Sequence, residues 1–67
     1  MYDNLRAEMA RNRITVKQLS QVLGVSLKTA SNRLSGKTDF TLNEALKINR
    51  ELFPKCELDY LFEQRLA

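Results

Sequence analysis

Between Gly24 and Gly36 the chain gathers Lys28, Thr29, Ser31 and Asn32. Together they carry an ammonium, two hydroxyls and an amide, which are hydrogen-bonding groups rather than a nucleophile with its base. Their chemistry suits base edges. Lys28 can donate to guanine O6 and N7, Asn32 can pair bidentately with adenine N6 and N7, and Thr29 and Ser31 can serve either. A methyl group of Thr29 or Leu27 can touch the methyl of thymine. The bland alternative is a scatter of solvated polar side chains, which any domain surface carries.

Catalytic chemistry lacks its usual parts. There is no His, so the commonest general base and metal ligand is missing. Cys56 stands alone, which rules out an internal disulfide and a multi-cysteine metal site. Nothing near it in sequence would activate the thiol, so it reads as inert packing or an exposed thiol. There is no glycine-rich phosphate loop and no paired-acid motif. The expectation is a non-enzyme that needs no cofactor and no metal.

With 67 residues the chain has room for one small domain. Such a chain buries only about 60% of its unfolded surface. No apolar run approaches the roughly 20 residues of a membrane span, and no signal peptide is visible. The expectation is a soluble, cytoplasmic domain. Charge is unevenly placed. Residues 1–37 hold seven basic side chains (Arg6, Arg11, Arg13, Lys17, Lys28, Arg33, Lys37) against Asp3 and Glu8, a net of +5. Residues 38–67 hold four basic and six acidic groups, a net of −2. The N-terminal part is thus the side suited to an anion.

The elements that must position these residues are helical. Gly and Pro are scarce and strong helix formers abundant. Tyr2, Leu5 and Met9 recur at i, i+3, i+7, which predicts helix over 2–12. Thr15-Val16-Lys17-Gln18 is a capping box, with Ile14 and Leu19 placed as its hydrophobic staple, and predicts helix over Val16–Leu23. Ser20 is small enough to admit a neighbouring helix. Gly24 suits a left-handed turn, Val25 a plug into the core, and Ser26 an N-cap for helix over Leu27–Ser35. On that third helix Ala30 and Leu34, flanked by Leu27, are the inward stripe, and Gly36 closes it. Thr41-Leu42-Asn43-Glu44 is a second capping box, stapled by Phe40 and Ala45. Leu42, Ala45, Leu46, Ile48, Leu52 and Phe53 then predict a wide apolar face, stopped by Pro54. Leu58, Leu61, Phe62 and Leu66 mark a fifth helix over 58–66. The fold class is a compact, all-α, five-helix domain. Two short helices joined by a tight turn form a helix-turn-helix at about 15–36. Its second helix would enter the major groove while the first crosses the backbone. The N-terminus of the first, beside Lys17, and the Gly36-Lys37 segment are then suited to phosphates.

Over about Leu5 to Phe62 the sequence resembles the lambda-repressor/Cro-type helix-turn-helix of bacteriophage and bacterial regulators. The resemblance is carried by Leu5-Arg6, Thr15-x-x-Gln18-Leu19-Ser20, Leu23-Gly24-Val25-Ser26-x-x-Thr29-Ala30-Ser31, Leu34-Ser35-Gly36-Lys37, Thr41-Leu42-x-Glu44-x-Leu46-Lys47-Ile48 and Leu58-Asp59-x-Leu61-Phe62. The stretch GKTDFTLNE is similar to small regulators of phages of Gram-positive bacteria. The resemblance implies a lambda-repressor-like fold and base reading by Leu27, Lys28, Thr29, Ser31 and Asn32. It implies phosphate binding around Thr15, Val16, Lys17, Arg33, Ser35, Gly36 and Lys37. It also implies a phage or prophage transcriptional repressor, either of Cro size or the DNA-binding domain of a longer repressor, working in the bacterial cytoplasm at the nucleoid.

Several positions depart from the family pattern. Val16 replaces a phosphate-contacting Gln, so contact there falls to backbone N–H or Lys17. Ser35 stands where Asn is common. Arg33 fills a slot often apolar, and is expected to snorkel outward to a phosphate. Met9 and Leu34 replace an Arg–Glu pair and should pack together. Asn49 replaces a small apolar residue, which implies either a looser face or a hydrogen-bond partner. The expected partner is a palindromic double-stranded DNA operator, bound by a homodimer with half-sites about 34 Å apart. Residues 54–66 are the expected dimer contact, through Leu58, Leu61, Phe62 and Leu66; Tyr60 and Phe62 read as core or dimer contact. The rival expectation is an antirepressor or modulator that binds another phage regulator. RNA binding is disfavoured by the lack of an aromatic stacking platform.

Overall fold

The computed structural model describes residues 2–64. Among them are five helices, α1 (Asp3–Arg11), α2 (Val16–Leu23), α3 (Leu27–Ser35), α4 (Leu42–Glu51) and α5 (Leu58–Leu61), and no strand. Their radius of gyration is 10.7 Å. No helix among the described residues is long and apolar enough to cross a membrane.

Local chemistry sets the helix ends. Both capping boxes form. The Thr15 hydroxyl accepts from Gln18 N–H at 3.2 Å and Thr15 N–H donates to Gln18 Oε1 at 2.8 Å. Thr41 and Glu44 repeat the pattern at 3.1 and 2.9 Å. Ser26 caps α3 by accepting from Thr29 N–H at 3.1 Å. Gly24 (φ 70°) and Gly36 (φ 84°) end α2 and α3 in the left-handed region that favours glycine.

The exit from α1 is different. Arg13 takes φ 57° with a side chain in place, while Ile14 N–H reaches back to Met9 O at 2.8 Å. A side chain at positive φ is strained. Arg13→Gly is therefore expected to raise stability by up to about 1 kcal/mol, less the glycine's extra unfolded-state entropy. An unchanged or lower thermal midpoint would refute it.

Four fully buried leucine and isoleucine side chains come from four different helices: Leu5 (α1), Leu19 (α2), Ile48 (α4) and Leu61 (α5). Helix α3 adds only Ala30 and Leu34 to the buried core. The Ser20 hydroxyl donates to Lys17 O at 2.7 Å, which satisfies it where it is buried. Met9 and Leu34 join one core cluster, so the two apolar side chains are buried together as expected. Asn49 has its partners. Its Nδ2 donates to Phe53 O (3.1 Å) and Cys56 O (2.7 Å), fastening the chain reversal at Pro54.

Three expectations are corrected. The apolar face of α4 is narrower than its composition suggests: Leu42 and Leu46 are exposed, and Ala45 and Ile48 carry its burial. The fifth helix ends at Leu61, and Phe62 turns its ring edge-on to Tyr2 and Phe40 at centroid distances of 6.0 and 5.2 Å. Leu61, expected at a dimer contact, is 0% exposed and belongs to the core. Leu66 lies outside the described residues. Tyr60 is exposed, with its hydroxyl donating to Glu8 Oε2 at 3.0 Å and its carbonyl accepting from Asn4 Nδ2 at 2.9 Å, so α5 is latched to α1. The bond to Glu8 pushes the Tyr60 phenol above its ordinary value. Burial, then Glu8, does the same to the Cys56 thiol.

Candidate nucleic-acid interface

Helix α3 is held to the domain by a narrow stripe, so most of its surface is left over. Leu27 and Ser31 stand one turn apart, as do Lys28 and Asn32, and the four form one continuous strip. Val16, the first residue of α2, meets this strip. The five residues line an open hollow of about 530 Å³.

The polar heads around the hollow are unengaged. Among the described residues no hydrogen bond or ion pair holds the side chains of Lys28, Ser31 or Asn32, nor those of Lys17 and Lys37 at the two ends. A side chain with no partner inside the fold keeps its full hydrogen-bonding capacity for something outside it. The electrostatic setting favours an anion. From Met9 to Thr38 there is no Asp or Glu, while six Lys and Arg side chains fall in that span. Arg11 is set apart, because Glu8 Oε2 accepts from its Nη1 at 2.7 Å.

The structure divides the expected contact residues. Leu27, Lys28, Ser31 and Asn32 come together around the hollow. Thr29 sits at the edge, half-buried, with its hydroxyl accepting from Ser26 Oγ at 2.9 Å. Thr15, expected near a phosphate, has both its hydroxyl and its N–H committed to Gln18. At the start of α2 the N–H groups of Val16 and Lys17 are the ones without a partner among the described residues. Ser35 turns its hydroxyl back to Asn32 O at 3.1 Å. The expected backbone clamp at Gly36-Lys37 is corrected. Gly36 N–H bonds Arg33 O (3.2 Å) and Lys37 N–H bonds Asn32 O (3.0 Å), because the helix must satisfy its last carbonyls. Only the Lys37 ammonium remains for a phosphate.

Arg33 is the largest correction. It does not snorkel outward. Its side chain is 20% exposed, and Nη1 donates to Asp39 O (2.9 Å) and Thr38 Oγ1 (3.3 Å). Its Nε lies 3.0 Å from Glu44 Oε1, an ion pair without an aligned hydrogen bond. Arg33 thus ties α3 to the loop before α4 and to the α4 capping box. Arg33→Ala is expected to cost about 1–3 kcal/mol of stability by leaving Glu44 and the Asp39 carbonyl short of a partner. DNA affinity measured well below the melting midpoint should then change by less than about twofold. A tenfold loss of affinity with an unchanged melt would restore the phosphate role.

The residue that sequence reasoning read only in part is Val16. Its backbone N–H stays open as expected of the residue after an N-cap, but its side chain also bridges core and hollow, a role the sequence reading did not assign. The signal available was its type, a β-branched apolar residue at a helix start. Compared with protein-family models, with curated proteins and with solved structures, the chain matches none.

Proposed function

We propose that this protein binds double-stranded DNA in a sequence-specific way and represses transcription from a phage or prophage operator. In this reading α2 and α3 are a helix-turn-helix, and α3 lies in the major groove. One observation carries it: Lys28, Ser31 and Asn32, whose side chains bond to nothing among the described residues, form a polar strip on a helix inside a 30-residue span that contains no acidic side chain. Lys28 and Asn32 read base edges, and Lys17 and Lys37 hold phosphates on either side. Repression is steric, since an occupied operator excludes polymerase.

One α3 reads few base pairs, so two copies act together on half-sites about 34 Å apart. With Leu61 in the core, the apolar surface left for a second copy is exposed Leu42 with half-buried Leu58 and Phe62, which share one cleft. The same cleft would serve the rival reading, a modulator that binds another regulator.

The test is selection of a preferred site from random duplexes, followed by anisotropy titrations. Binding to that site should fall steeply with salt and exceed random DNA by about 10³-fold or more. Equal affinity for selected and random duplexes sinks the proposal.

A further inference from the structure

We infer that Val16 and Leu27 form a seat for the 5-methyl group of thymine in the major groove, and so set part of the sequence preference. The inference rests on the DNA-binding reading above and adds to it a specificity device built from two helices.

Leu27 is 55% exposed, an unfavourable position for a leucine in water. It is not isolated. Val16 approaches from the N-terminus of α2, and the two apolar side chains line the same hollow as Lys28, Ser31 and Asn32. An apolar floor with a rim of unengaged donors and acceptors is the complement of a thymine edge, where a methyl group sits beside the O4 acceptor. The charge of the surroundings fits the same ligand. Lys17 adjoins Val16 and Lys28 adjoins Leu27 in sequence, while the carboxylates of Glu8 and Glu44 are ion-paired to Arg11 and Arg33. An apolar peptide is a poorer fit, because the Lys28 ammonium, the Ser31 hydroxyl and the Asn32 amide line the same hollow and have no partner among the described residues.

Deoxyuridine differs from thymidine only by this methyl group, so it isolates the contact. Each thymine of the selected site would be replaced in turn by deoxyuridine and the affinity measured. One position per half-site should lose about fourfold, the worth of one buried methyl group. Leu27→Ala, and separately Val16→Ala, should bind the thymine and deoxyuridine duplexes equally while still preferring the selected site to random DNA. Leu27→Ala removes only an exposed side chain, so its fold is secure, and Val16→Ala is read only after its melt is recorded. If every deoxyuridine duplex binds wild type as well as the parent does, while preference for the site persists, the methyl seat is wrong and the DNA-binding reading stands. If no duplex is preferred at all, that reading fails and this inference with it. Recovery of a partner protein whose binding is lost in Leu27→Ala, with no DNA preference, would assign the hollow to protein instead.

Discussion

Lys28→Ala and Asn32→Ala are each expected to weaken binding to the selected duplex by about 1–3 kcal/mol, roughly five- to 150-fold. Neither should move the melting midpoint, because neither side chain makes a hydrogen bond or ion pair among the described residues. The two should also differ. Asn32 carries no charge, so Asn32→Ala should leave the salt slope and the affinity for random DNA unchanged while relaxing preference at one base pair. Lys28→Ala should relax a different base pair. If its ammonium instead meets a phosphate, the loss would be uniform across sequences and the salt slope would fall by about one. Two substitutions that leave the selected sequence unchanged would show that α3 is not the reader.

Leu61→Ala is expected to cost about 2–5 kcal/mol of folding stability. A 67-residue chain has only about 3–10 kcal/mol in total, at 0.05–0.15 kcal/mol per residue. The substitution should therefore unfold the domain near physiological temperature or come close to it. The reason is location: Leu61 is fully buried between α1 and α4, although α5 spans only Leu58–Leu61 and cannot hold itself together. Circular dichroism melts separate this from a loss of pairing. Leu42→Ser is the contrast, at a side chain 70% exposed beside Leu58. It should leave the melt unchanged and lower only the affinity of the second copy on DNA, read by sedimentation. A Leu61→Ala protein that melts like wild type but no longer pairs would return Leu61 to the dimer contact.

The two leucines show where sequence stops informing. At the chain level both sit at apolar positions of a helical pattern, Leu42 read as part of the inward face of α4 and Leu61 as a dimer contact. Their fates differ because burial depends on what the rest of the fold places opposite them. Arg33 makes the same point in reverse. Its type suggested an outward cation, but the loop carrying Thr38 and Asp39 and the first turn of α4 arrive beside it with acceptors. No spacing rule places Glu44 next to Arg33, because the contact closes between helices. At Gly36-Lys37 the local rule was available and points the other way: a helix end must first satisfy its own carbonyls.

The sequence by itself determined the order of the elements, both ends of α2 and α3 and the start of α4. Thr15 with Gln18, Ser26, Thr41 with Glu44, Gly24 and Gly36 act within four residues of their partners, so their geometry follows from order along the chain. It also determined that α3 would have a polar face too large for its core contact, and that the acid-free span surrounds it. Only the tertiary structure decided which polar groups on that face are left unengaged and which are consumed, and that Val16 joins it from another helix. The physical reason is that hydrogen bonds and apolar contacts between elements depend on distances across the fold, which residue order does not contain.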